Sequence, residues 1–273
     1  MQPTLLDLHC HIDTSYSKEL ILLRLREVID QTRAIQVKGL ILGVALRGRS
    51  GGDLDICKAK AEVVQLFQQL PDFDSDFILS FAFEVPVTII FGYQLYSSER
   101  LELLAYGKHL KGEGNKEEYI PGKSAFIDLI KFDFPLKLIP WSPGKWLGER
   151  GEIIRDSILE NSDSSLHLID SRLRAWPFKR PILFDEIEER GRAILCGSDP
   201  LPLDNEEMSL LSYCNLVKRN IEIDKFTIFE RLNSLKKEDL AIFGKRLSTI
   251  KLISSLYSLY TGASHPITNR RAK

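Results

Sequence analysis

Long apolar runs are missing from this sequence, and none approaches the roughly 20 consecutive residues that a membrane-spanning helix requires. The opening, Met-Gln-Pro-Thr-Leu-Leu-Asp, has no basic stretch leading into an apolar core and no cleavage signature, so no secretory leader is expected. Paired cysteines are missing too. The four present, Cys10, Cys57, Cys196 and Cys214, lack the spacing of a disulfide framework and fit a reducing cytoplasm. There is no excess of charge, since the formal net value is −1, which argues against a broad nucleic-acid-binding face but leaves room for a local basic pocket. Internal repeats and low-complexity linkers are also lacking. The chain of 273 residues is therefore read as one soluble, cytoplasmic domain with no nucleic-acid or membrane partner, and its oligomeric state is left open.

What is present is a series of short apolar runs that end in chemically active residues. Residues 7–11 read Asp-Leu-His-Cys-His. Strict alternation along a strand puts Asp7, His9 and His11 on one face and Leu8 and Cys10 on the other. Later runs end at Glu84, at Trp141-Ser142, at Asp170 and at Asp199. Functional groups at the carboxyl ends of several strands describe the active face of a (β/α) barrel. Strand-like runs at 4–9, 37–45, 77–83, 136–141, 165–169 and 193–198 alternate with helical patterns near 18–34, 54–70, 123–132, 149–160 and 179–190. Residues 87–107 supply either a further barrel strand or a hairpin over the mouth. This predicts a distorted (β/α)7-type, TIM-like barrel over about 1–203, with a helical C-terminal cap over about 204–266.

His9 and His11 offer two imidazoles from one strand end, half of a site for zinc, manganese or iron, with Asp7 placed to orient one of them. The alternative is a pair of hydrogen-bonded barrel histidines. Glu84 follows Phe81-Ala82-Phe83 and is read as a metal ligand or general base, or else as the partner of an arginine such as Arg47. Asp199, in Gly197-Ser-Asp-Pro200, is read as a ligand and proton acceptor, or else as the start of a turn. For an anionic substrate the candidates are Arg47 in Arg47-Gly-Arg-Ser-Gly-Gly-Asp53, Trp141, Lys145 and Arg150 in the loop after 136–140, and Arg172. Salt bridges to Asp170 or Asp163 explain Arg172 equally well. Neither the P-loop nor the dinucleotide fingerprint is matched. His167 is read as core; His109 and His265 are weaker candidates.

Asp7-Leu-His-Cys-His11 resembles the first motif of the PHP (polymerase and histidinol phosphatase) family and the opening of TatD-like and other amidohydrolase-type hydrolases. Gly197-Ser-Asp199 is similar to the last motif of both groups. The stretches 140–151 and 197–203 resemble signatures of a bacterial branch of such barrels. The resemblance implies a metal-dependent hydrolase acting on a small anionic substrate, a phosphoester above all. The sequence departs from the PHP pattern at Tyr16, at Ala45-Leu46, at Trp141-Ser142 and at Leu201, which implies one divalent ion rather than three, or none. Its ligands would be His9, His11, Asp199 and Glu84. The other reading is a barrel that has lost catalysis and binds a ligand or a protein.

Overall fold

In the computed structural model the described residues are 3–12, 16–47, 60, 63–65, 77–80, 83–107, 124–176, 178–219, 221, 224 and 227–261, with only the backbone described at 47 and 77–80. Arg49, Asp53, Cys57, His109, His265 and most of the helix expected over 54–70 lie outside them. The strands are β1 (Thr4–Cys10), β2 (Gly39–Arg47), β3 (Phe77–Ser80), β4 (Val87–Tyr96), β5 (Glu102–Tyr106), β6 (Leu136–Pro140), β7 (Leu166–Ser171), β8 (Ile194–Gly197), β9 (Tyr213–Val217) and β10 (Leu240–Gly244). The described helices longer than a single 3-10 turn are α1 (Lys18–Gln31), α2 (Phe126–Leu129), α3 (Glu149–Leu159), α4 (Ile182–Glu189), α5 (Ile228–Asn233) and α6 (Thr249–Thr261). None is long and apolar enough to cross a membrane.

One mixed sheet runs β10-β9-β1-β2-β4-β5-β6-β7-β8, with β3 paired to β4 off that path, and it curls until β8 meets β1. This is a nearly closed, sheet-dominated barrel and corrects the expected (β/α)7 TIM-like barrel. A TIM barrel needs every strand parallel, with a helical crossover between neighbours. Here β5 returns directly from β4, pairing Tyr96 with Glu102, and it is antiparallel to both β4 and β6. No helix separates β4 from β5. Parallel strand–helix–strand units survive at β1-α1-β2 and at β6-α3-β7-α4-β8. The expected helical cap is corrected as well. Residues 213–217 and 240–244 are strands, and β9 pairs antiparallel with the first half of β1. A five-residue apolar run such as Tyr-Cys-Asn-Leu-Val carries too little periodicity to separate strand from helix.

Inside the barrel, Leu6, Leu8, Ile41, Ile90, Leu104, Leu138, Ile169 and Leu195 form a closed apolar core. Burying each such side chain contributes about 1.5–3 kcal/mol. Tyr106 crosses this interior, fully buried, and donates from its hydroxyl to Leu8 O at 2.8 Å. It fits because β4 presents a glycine: a Cβ on Gly92 would lie 2.3 Å from the Tyr106 ring. The barrel is thus packed below its mouth. Outside, α1 covers β1, β2 and β4 with Ile21, Leu25 and Val28. Helices α2, α3 and α4 cover the opposite wall with Phe126, Ile154, Ile158, Phe184 and Ile187.

At the lower end, His167 is buried and shares a contact with Asn233 Oδ1 at 3.1 Å. Asn233 Nδ2 donates to Pro135 O, so its oxygen is the acceptor and His167 Nε2 the donor. Burial, with Arg192 nearby, pushes the imidazole down to about 4. The folded chain therefore disfavours a proton that the unfolded chain accepts near pH 6.5. Stability falls as pH drops from about 6.5 to about 4, by up to about 3 kcal/mol. Chemical denaturation across that range should show the slope, and His167→Gln should flatten it.

Candidate metal centre

Strand β1 does not alternate strictly. Its pairing with β2 steps from Asp7↔Leu42 to Cys10↔Val44, three residues against two, which is a β-bulge. Asp7 and Cys10 thereby both face the helix-covered layer that holds Leu42 and Val44, while His9 and His11 turn to the barrel mouth. The expectation that Asp7 shares a face with the two histidines is corrected by this bulge. Asp7 instead fastens the strand end, accepting from Ser198 N at 3.0 Å, Leu211 N at 3.1 Å and the Ser198 hydroxyl. Complete burial pushes its carboxyl up to about 6.

Those bonds seat β8 on β1, and Asp199 N donates to His9 O at 2.7 Å. Gly197 makes the approach possible, because a Cβ there would lie 2.3 Å from His9 Cβ. Asp199 follows with φ of 43°, a left-handed conformation that aspartate tolerates better than most residues. Its Oδ1 lies 3.4 Å from His9 Nε2 and 3.7 Å from His11 Nε2. Its Oδ2 accepts from the Ser171 hydroxyl at 3.1 Å. All three residues are buried, and one ligand atom from each lies within 4.8 Å of the others.

The second nitrogen of His11 shows what this arrangement favours. Nδ1 lies 2.7 Å from Ala45 O, which can only accept, so Nδ1 carries the proton. In the neutral ring Nε2 then turns a lone pair toward a carboxylate oxygen. A metal ion or a proton on the imidazole would each reconcile that lone pair with the carboxylate. Ligand bonds of about 2.0–2.2 Å, meeting at a roughly tetrahedral angle, place donor atoms about 3.4 Å apart. The buried His9, His11 and Asp199 group can hold a metal ion.

The remaining sequence candidates are dispersed. Glu84 sits in the bend before β4, with its side chain 78% exposed and Arg33 3.8 Å away. Val87 is level with Leu40, and Leu40 with Leu5, so Glu84 lies at the amino end of the parallel strands, opposite the histidines. The placement corrects its expected roles as ligand and base. Arg172 is buried between Ser198 O and Glu206, which leaves it no reach toward a substrate. Trp141 is buried against Phe178 in the outer core. Arg150 donates to Gly144 O and lines a cleft with Glu99, Arg100, Glu149 and Ile153. Arg47 ends β2 level with Gln94. Lys145 reaches the mouth but is held by Glu102, which also accepts from Ser142 Oγ at 2.8 Å.

Two residues that the structure bonds to candidate side chains, Ser171 to Asp199 and Glu102 to Lys145, escaped sequence reading. Ser171, which holds Asp199, stands one place after Asp170, and alternation from that residue would have pointed it into the barrel. Glu102 begins β5, whose direction depends on a hairpin the sequence leaves ambiguous. Asp170 itself is bound by Arg174 at 2.6 and 2.7 Å and by the Tyr213 hydroxyl at 2.7 Å, so it faces away from the mouth.

No protein-family model matches the chain, and no curated protein matches it. Among solved structures, the crystal structure of PsfC from Pseudomonas syringae PB-5123 aligns with a TM-score of 0.53 at 10% identity. The alignment covers 96% of this chain and 99% of that one. The two share a fold. At this identity the likeness carries nothing about chemistry, and the resemblance to PHP and TatD-like hydrolases rests on short motifs alone.

Proposed function

We propose that the protein is a hydrolase that works with a single divalent cation, zinc, manganese or iron, held by His9 Nε2, His11 Nε2 and Asp199 Oδ1. The observation that carries this reading is the convergence of His9, His11 and Asp199, all buried, with one ligand atom from each within 4.8 Å of the others. Two imidazoles and one carboxylate are a catalytic donor set, which leaves positions open for water and substrate. An ion in such a set supplies a Lewis acid and an acidified water. Ala45 O fixes the tautomer of His11, and the Ser171 hydroxyl fixes the rotation of Asp199. Glu102, with Ser142 and Lys145, supplies an acid–base pair on another strand of the same mouth.

Among the described candidate cations, a phosphoester would require Lys145 to leave Glu102, since Arg172 is already bound by Glu206. A neutral ester, amide or lactone needs no such exchange, and this is the substrate class we favour. The test is a panel of esters, lactones, amides and phosphoesters with protein stripped by chelator and then reloaded with zinc, manganese or iron. Turnover that disappears on stripping, returns on reloading and is absent in His9→Ala supports the reading. Binding of a panel compound without turnover in any metal state would favour the ligand-binding barrel instead.

A further inference from the structure

The end of the chain differs in charge from the rest. From Lys245 onward the sequence carries Lys245, Arg246, Lys251, Arg270, Arg271 and Lys273 and no Asp or Glu, although the whole chain has a formal charge of −1. Helix α6 lies in this segment. At 100° per residue its apolar side chains occupy one half of the wheel. Leu252, at one edge of that half, is buried against the outer core. The rest of the apolar half, Ile250, Ile253, Leu256, Tyr257, Leu259 and Tyr260, is between 37% and 92% exposed. Lys251, Ser254 and Ser258 fall on the polar half, and Lys245 and Arg246 are exposed just before the helix.

Lone exposed apolar residues are ordinary, but a stripe of six along one helix is not. Its occupant is set by charge. A second copy would bring the same cations face to face, and nucleic acid would match the cations but not the apolar stripe. An anionic lipid surface matches both, with tyrosines suited to the headgroup level. We propose that α6 docks this protein on an anionic bilayer surface, its stripe seated at the headgroup boundary and Lys245 and Arg246 against lipid phosphates. This departs from the expectation of no membrane contact, which rests on the lack of a spanning run. It is independent of His9, His11 and Asp199.

The test is cosedimentation of the full chain with phosphatidylcholine vesicles, with and without about 30% phosphatidylglycerol. Binding at least ~10-fold tighter to the anionic vesicles, and weakened by salt, is expected. Ile253→Ser with Tyr257→Ser should abolish it. Lys245→Glu with Arg246→Glu should weaken it at least ~10-fold, and His9→Ala should leave it unchanged. Equal binding to both vesicles, binding to neither, or a doubled mass in light scattering that the Ile253→Ser, Tyr257→Ser variant returns to a single chain would overturn the proposal.

Discussion

Asp199→Asn should weaken binding of a divalent ion at least ~100-fold while shifting the melting temperature by no more than about 4 °C. The substitution preserves shape, tolerates the left-handed backbone at this position and keeps an oxygen for the Ser171 hydroxyl. What it removes is the negative charge between two imidazoles. Ser171→Ala is the milder companion, because it frees the carboxylate to rotate without removing it. A loss of about 10–100-fold is expected there. Competition with a chromophoric chelator measures both. Equal affinity in wild type and Asp199→Asn would place the ion elsewhere.

Gly197→Ala should cost about 3 kcal/mol or more, corresponding to a fall in melting temperature of about 6–12 °C. The added Cβ would meet His9 Cβ at 2.3 Å and the His9 Cα and N at 3.0 Å. Two of those three atoms are backbone, so no rotamer change relieves the overlap, and β8 must move away from β1. That movement also pulls Asp199 from the histidines, so metal affinity falls together with stability. His9→Gly in the same background should recover part of the stability and none of the metal binding. A Gly197→Ala protein that melts like wild type would mean that β8 and β1 do not pack this closely.

The group of His9, His11 and Asp199 that could hold a metal ion was legible in the sequence because its residues sit at strand ends. His9-X-His11 and Gly-Ser-Asp199 each follow an apolar run, and short runs with chemical ends are what local pattern detects. The roles of Asp7 and Glu84 were not legible. One bulged residue moves Asp7 to the other face of β1, and no local signal marks a bulge that the partner strand imposes. Glu84 follows a strand-like run and so looks like a strand end at the active face. Yet β3 is antiparallel to β4, so the end of that run lies at the barrel's lower rim. The direction of a strand is a property of its partner. The same gap hid the hairpin of β4 and β5 and the two late strands, β9 and β10, and turned a sheet-dominated barrel into an expected TIM-like one. Cations were misread for a related reason. Arg172 and Lys145 look available in sequence, but Glu206 and Glu102 come from distant segments to neutralise them.

X-ray absorption at the metal edge, on protein loaded with one equivalent of zinc, examines the central claim without reference to any substrate. Two imidazole nitrogens at about 2.0–2.1 Å and at least one oxygen at about 2.0–2.2 Å are expected, with one imidazole lost in His9→Ala. A spectrum of the hydrated ion, or one dominated by sulfur from cysteine, would contradict the assignment of His9, His11 and Asp199 as a metal centre.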